Sequence, residues 1–286
     1  MTKSLTPEHR AALADRRTFL RMGGIAVLGL AGAACSNSSS SATSTAATSG
    51  APATPAAANT TAATASSTAV SEAVTTVAAS AQSPLTAAAF QALGTCSLTP
   101  EKTSGPFPLD QQFDRRDITE GVAGQPMRLG LRVVDASCAP VPGATVEIWH
   151  TDSTGDYSAF IDNGGGKDEG PGTTFLRGTQ TADDNGIVEF LTVYPGWYHG
   201  RAVHIHLRVH VDDATVLTSQ MFFDADYTAS VYSAAPYAQF GLPDTSNESD
   251  SIAGDPQAEG TLLHTLAGDT SKGAGTVALL NLGIKS

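Results

Sequence analysis

The apolar residues of this chain fall into short runs with strand-like alternation rather than into helical stripes. "MRLGLRVVD", "ATVEIWH", "GIVEFLTVY", "VHIHLRVHV", "SQMFF" and "TVALLNLG" are alternating or β-rich, and each is followed or preceded by turn-forming residues. The intervening stretches, such as "CAPVPGA", "DSTGD", "DNGGGKDEGPG" and "TADDNG", are rich in Gly, Pro, Asp and Asn. Many short strands punctuated in this way predict an all-β fold, a β-sandwich. Long amphipathic helices are missing, and "DPQAEGTLLHTLAG" is the stretch that would carry a short one. No repeat recurs at a solenoid or propeller period.

One of these runs is unlike the others. On a strand, side chains alternate between faces. Val203, Ile205, Leu207, Val209 and Val211 then form an apolar face for the core, while His204, His206, Arg208 and His210 share the opposite face. The chain has seven histidines, so placing three of them on one strand face asks for a reason beyond packing.

Composition divides the chain into three parts. "DRRTFLRMGGIAVLGLAGAACS" holds an Arg16-Arg17 pair, an apolar run from Ile25 to Leu30 and small residues before Cys35. This is the layout of a twin-arginine export signal over residues 1–35, and the apolar run is too short for a membrane span. The expected location is outside the cytoplasm, either secreted or anchored to the cell envelope through a lipid on Cys35. Gly32, however, stands where bacterial lipoprotein signals usually carry Leu. Residues 36–90 are dominated by Ser, Ala and Thr and read as a disordered linker, because they offer little apolar surface to offset the entropy of ordering. Residues 91–286 are long enough for one domain with a sizeable core.

Without residues 1–35 the chain keeps 11 basic and 26 acidic residues. So acidic a surface repels polyphosphate, which argues against nucleic acid as a partner. Cys96 and Cys138 are then an even pair in an exported protein and are expected to form a disulfide.

His204 and His206, at i and i+2, can aim two imidazoles at one ion. Tyr198 lies on the "YPGWY" turn just before them, Arg201 stands three residues before His204, and "EIWHTDSTGDYSAF" supplies Tyr157 after a second turn. Two phenolates with two imidazoles suit a hard trivalent ion, which suggests ferric iron with zinc as the main competitor.

"CSLTPEKTSGPFPLD", "GATVEIWHTDSTGDYS", "YPGWYHGRAVHIHLRV" and "LTSQMFFD", in that order, resemble the intradiol ring-cleavage dioxygenases, most closely their exported single-domain branch. The resemblance covers residues 96–286. It implies a mononuclear non-haem Fe(III) held by Tyr157, Tyr198, His204 and His206, with Tyr198 as the tyrosinate that leaves when substrate binds. It also implies that Arg201 stabilises negative charge on the substrate ring and that Gln220 lines the same site. Thr103, Gly105, Pro106 and Phe107 match the stretch that borders the substrate pocket, although "SGPFP" stands where tyrosines are common. The implied reaction opens a small aromatic diol of the catechol type with O2, giving a muconate-type diacid.

Two other classes compete. A cupin also uses HxH on a strand but wants a Glu a few residues on, and "LRVHVDDA" has none. A transthyretin-like sandwich acting as a binding module would account for strands, linker and export, but has no use for the combined Tyr, His, Arg and Gln set. The remaining candidates have bland readings. His150 and Trp149 are packing groups beside the site, His210 is too far along its strand to be a ligand, and Tyr194, Tyr227, Tyr232 and Tyr237 are core or loop aromatics. The direction of His199 is open, and Arg208 is a candidate partner for a carboxylate. Oligomeric state is not legible in the sequence.

Overall fold

The computed structural model describes residues 84–94, 96–160, 172–268 and 275–285, all within the unit spanning residues 57–286. The expected signal with Cys35, residues 36–83 of the expected linker and residues 161–171, which hold most of the glycine-rich stretch, lie outside the described residues.

Among the described residues, eight strands form two four-stranded sheets: β1 (Pro126–Val134), β2 (Thr145–Trp149), β3 (Arg177–Thr181), β4 (Ile187–Val193), β5 (His204–Val211), β6 (Ala214–Phe222), β7 (His264–Ala267) and β8 (Thr276–Gly283). One sheet has the order β4-β1-β8-β7 and the other β3-β2-β5-β6. β1 and β8 run parallel, and the other named pairs are antiparallel. Inward-facing Leu129, Leu131 and Val133 of β1 and Leu280 and Leu282 of β8 meet Val146, Ile148, Ile205, Leu207 and Val209 of the second sheet in one buried cluster. The fold is the expected β-sandwich.

Three elements differ from the expectation. β3, with the sequence RGTQT, has no apolar residue to announce it. The helix expected near residues 255–268 is instead a turn followed by β7. Among the described residues the helices are α1 (Ala87–Gln91) and α2 (Ala225–Tyr232), with a short 3-10 turn at Tyr237–Phe240. α1 also corrects the linker boundary, because residues 84–90 belong to the fold. Leu85, Ala89, Phe90 and Leu93 pack on Val277 and Leu279 at the outer face of the first sheet. They approach so closely that a Cβ on Gly130 would lie 2.4 Å from Leu85 Cδ1.

The second sheet positions the site. Asp212 and Asp213 both adopt positive φ, 50° and 64°, and make the two-residue turn that joins β5 to β6. The resulting register puts Gln220 opposite His206 and Phe222 opposite His204. On the other side Trp149 faces His206, and Arg177 faces Trp149. Arg177, Trp149, His206 and Gln220 therefore form one row across four strands.

Two loops cross this row and interlock. Gly196 N–H donates to Asp152 O (2.9 Å), and Thr151 Oγ1 donates to Gly196 O (2.7 Å). Gly155 has φ +87°, and a Cβ there would sit 2.2 Å from Trp197 O. A side chain at 155 thus strains the backbone and also forces apart the turns that carry Tyr157 and Tyr198. Gly155→Ala is expected to destabilise the domain by roughly 1–3 kcal/mol, read by thermal unfolding, with a changed near-ultraviolet dichroism from the displaced aromatics.

Cys96 and Cys138 are disulfide-bonded across a separation of 42 residues, tying the segment after α1 to the turn after β1. Closing such a loop contributes about 4 kcal/mol in the chain-entropy model. Replacing both cysteines with Ser is expected to lower Tm by on the order of 10 °C for a domain of this size. An unchanged Tm would show that the packing of Leu85, Ala89, Phe90 and Leu93 on the first sheet holds the N-terminal segment without the disulfide.

Candidate active site

The face of β5 opposite the core is not a solvated polar face. His204 and His206 are buried at 3% and 1% relative exposure. The segment before residue 108 and the loops carrying Tyr157 and Tyr198 cover them. Each loop delivers a phenol to the same point. Tyr157 Oη lies 3.3 Å from His204 Nε2, Tyr198 Oη lies 3.2 Å from it and His206 Nε2 lies 3.1 Å from it. The four ligand candidates implied by the sequence are brought together.

These contacts do not work as ordinary hydrogen bonds. His204 Nδ1 donates to Ala202 O at 2.7 Å, which leaves Nε2 as an acceptor with one lone pair. Two phenols, a second imidazole and Arg201 Nη1, at 3.4 Å, all crowd that single lone pair. The spacing instead resembles the edge of a coordination shell, since donors about 2.0–2.1 Å from a common ion stand roughly 3.0–3.4 Å apart. Among the described residues no group of three or more His, Cys, Asp or Glu side chains is placed to hold a metal ion. The donor set here is two imidazoles and two phenols, so oxygen donors of phenol type complete the cluster.

The electrostatics favour a cation. Burial pushes the His204 imidazole down to about 3, helped by the Arg201 guanidinium. Burial, with the His204 imidazole beside it, holds His206 well below the usual histidine range. Both rings therefore stay neutral and keep their lone pairs. Burial raises the Tyr157 phenol well above its ordinary value, reinforced by Tyr198, and burial also raises Tyr198. Without a cation the phenols keep their protons, whereas a hard cation at the point of convergence would favour the phenolates.

The two tyrosines are held differently. Tyr157 is 2% exposed, and its ring stacks on Phe107 at 4.5 Å. Arg177 clamps both neighbours, donating to Ser158 Oγ (2.8 Å), Ser158 O (2.8 Å) and Phe107 O (2.9 Å). Tyr198 is only part-buried and lies 3.5 Å from Arg201 Nη1. The two imidazoles differ as well. His206 lies parallel to the Trp149 indole, with ring centres 5.1 Å apart. Its Nδ1 has no hydrogen-bond partner among the described residues.

Arg201 Nη1 faces Tyr198 Oη and His204 Nε2, and Gln220 stands beside it. Arg201 Nη2 donates to Gln220 Oε1 at 2.5 Å, and Gln220 Nε2 donates to Thr103 O at 2.7 Å. The four residues matched to the pocket border play unequal parts. Thr103 anchors Gln220 through its carbonyl. Gly105, at φ +67°, lies so close to His206 that a Cβ would be 3.1 Å from its Cε1. Pro106 is exposed, and Phe107 supports Tyr157 from behind. Sequence reasoning missed the buried clamp Arg177 and missed Asp250, whose Oδ2 accepts from Arg201 Nε at 2.9 Å.

The bland readings are placed too. His150 is buried between Thr151 O and Thr192 Oγ1, and His199 is exposed beside Asp244. His210 bonds Thr215, while Arg208 meets Glu147 at 3.5 Å and lies over the Trp149 ring. Tyr194, Tyr232 and Tyr237 are buried, with Tyr227 packed against their cluster.

Comparison with known proteins places this geometry. A family model described as dioxygenase matches residues 102–242. Catechol 1,2-dioxygenase from Pseudomonas sp. (strain EST1001) is 29% identical over 192 residues, covering 59% of this chain and 61% of that protein. Chlorocatechol 1,2-dioxygenase from Rhodococcus opacus is 28% identical over 140 residues, covering 42% and 52%. The chain thus spans between 52% and 61% of these two curated relatives. A solved structure titled intradiol ring-cleavage dioxygenase from Tetranychus urticae is 34% identical with a TM-score of 0.61, covering 66% of this chain and 95% of that one. With the matched stretch spanning both tyrosine loops and the β5–β6 hairpin, this chain belongs to the intradiol ring-cleavage dioxygenase family.

Proposed function

We propose that this protein is a mononuclear Fe(III)-dependent intradiol dioxygenase that opens small aromatic diols of the catechol type with O2. The observation that carries the reading is the convergence of Tyr157 Oη, Tyr198 Oη and His206 Nε2 on His204 Nε2, within 3.1–3.3 Å. Tyr157, Tyr198, His204 and His206 would hold the iron. A bound ferric iron would supply a hard Lewis acid that a catechol-type diol can chelate through both oxygens, drawing electron density from the ring.

The protein's own groups account for the rest. Tyr157 is fixed by the Phe107 stack and the Arg177 clamp and stays in place. Tyr198, part-buried and free of such a clamp, is the phenolate that swings away and takes a proton from the incoming diol at Oη. Arg201 keeps Nη1 directed at the centre, where a fixed guanidinium stabilises negative charge that builds on the diol ring. Gln220 holds the other edge of that guanidinium, and Thr103 O holds Gln220. Trp149, Phe107 and Tyr157 form an apolar back wall that keeps water from the ring and strengthens these interactions. We further propose, from the export-type layout of residues 1–35, that the diol is met outside the cytoplasm.

Iron-loaded protein is expected to show a tyrosinate-to-Fe(III) absorption band in the visible that shifts when catechol is added. His204→Ala is expected to lose both the iron and the band, whereas Tyr198→Phe should keep iron with an altered band. A protein that stays colourless after anaerobic iron loading and reoxidation would instead support a binding module. Arg201→Met, assayed at matched iron content, is expected to lower kcat by roughly 100-fold or more, the usual cost of removing a fixed charge-stabilising donor. An unchanged kcat would remove Arg201 from the chemistry.

A further inference from the structure

We propose that Asp250 is the positioning residue that aims Arg201 into the site, and that it steadies His204 through the same stretch of backbone. The inference rests on the dioxygenase reading, in which Arg201 faces the bound diol. Asp250 lies beyond residue 242, where the family match ends, and no nearby motif marks it.

Every edge of the Arg201 guanidinium has a defined role. Nε donates to Asp250 Oδ2 at 2.9 Å, Nη2 donates to Gln220 Oε1 at 2.5 Å, and Nη1 is left facing Tyr198 Oη and His204 Nε2. With two edges occupied, the planar group cannot rotate, and Nη1 keeps its direction. The Asp250 side chain is 0% exposed, so the ion pair is shielded from solvent.

The same carboxylate organises the backbone around it. Oδ2 also accepts from Ala202 N–H at 2.7 Å, while Ala202 O receives His204 Nδ1–H. Asp250 therefore grips the residue whose carbonyl sets the orientation of His204. Oδ1 accepts from Ile252 N–H (2.8 Å) and Ala253 N–H (3.1 Å), so both oxygens are doubly satisfied. Lys102 Nζ closes the arrangement from the other side, donating to Ile252 O (3.1 Å), Ala253 O (3.0 Å) and Glu259 Oε2 (2.6 Å). Because Lys102 precedes Thr103, which holds Gln220, the links form a closed circuit: Lys102, the 250–253 turn, Arg201, Gln220 and Thr103.

Asn at 250 cannot reproduce this. Its amide offers one oxygen where four N–H donors converge, and its NH2 would face either Arg201 and Ala202 or Ile252 and Ala253. The test compares the full-length protein with Asp250→Asn by two readouts. The first is the 15Nε–1Hε signal of Arg201, assigned by its loss in Arg201→Lys and followed by hydrogen exchange. The second is steady-state turnover of catechol at measured iron content. Asp250→Asn is expected to lose exchange protection at Arg201 Nε and to lower kcat by roughly 10–100-fold, the usual effect of losing an orienting partner, with a much smaller change in KM. Asp255→Asn, which removes the charge of an exposed turn carboxylate that accepts from Ala258 N–H, should leave both readouts at wild-type values.

A wild-type kcat in Asp250→Asn, or a lowered kcat with the Arg201 Nε signal still protected, would overturn the proposal. If Asp250→Asn does not fold, Asp250→Glu carries the same expectation, because it keeps the charge but displaces the guanidinium by one methylene. If the wild-type protein shows neither iron band nor turnover, the dioxygenase reading fails, while the exchange readout still judges the Asp250–Arg201 contact by itself.

Discussion

The structure depends on β5 being buried on both faces for two different reasons. Ile205, Leu207 and Val209 are fully buried in the sandwich core, each contributing roughly 1.5–3 kcal/mol by leaving water. A slip of one residue would turn them outward and place imidazoles in the core, so the apolar face enforces the register. The hydrophobic core thereby decides where His204 and His206 stand. The opposite face is then covered by loops, and burying its polar atoms without partners would be costly. Trp149, Gln220, Arg177 and the two tyrosines are the groups the sheet register and the interlocked turns supply to that face.

Much of the fold was legible because the main strands are written in alternating apolar residues, as in "GIVEFLTVY" and "VHIHLRVHV". The elements that escaped carry no such signature. β3 is formed by RGTQT and exists because β2 offers it a free edge to pair with, a tertiary cause invisible to local pattern. β7 was hidden inside a stretch with helix-like spacing, yet pairing with β8 outweighs that weak local preference. Residues 84–90 resembled the linker in their Ala and Thr content, but Leu85 and Phe90 find a socket over Gly130, whose missing side chain makes room for them.

The site divides in the same way. Tyr198, Arg201, His204 and His206 lie within nine residues, and Tyr157 follows a marked turn, so they could be read from spacing and resemblance. Their supports could not. Arg177 sits on the strand that had no signal, and its three hydrogen bonds cross to residues 107 and 158. Asp250 is 49 positions from Arg201, in a stretch whose several acidic residues look alike on paper. Long-range hydrogen bonds between polar residues leave no periodic trace. Hence the groups that could touch a ligand were visible, while Arg177 and Asp250, which orient them, required the folded chain.

The unequal treatment of the two imidazoles follows from these supports. A ligating histidine usually donates its second ring N–H to a carbonyl, carboxylate or water, which fixes both tautomer and orientation. His204 meets this rule through Ala202 O. His206 does not meet it among the described residues, and its orientation rests on shape: the Trp149 indole lies parallel to one face, and the Gly105 backbone crowds the ring. Trp149 is itself backed by Arg208, which Glu147 balances. Stacking constrains the plane of an imidazole but not rotation within that plane, so the position of Gly105 completes the constraint. Gly105 therefore answers two demands at once: its φ of +67° favours glycine, and any larger side chain would press on the ring that the site needs in place.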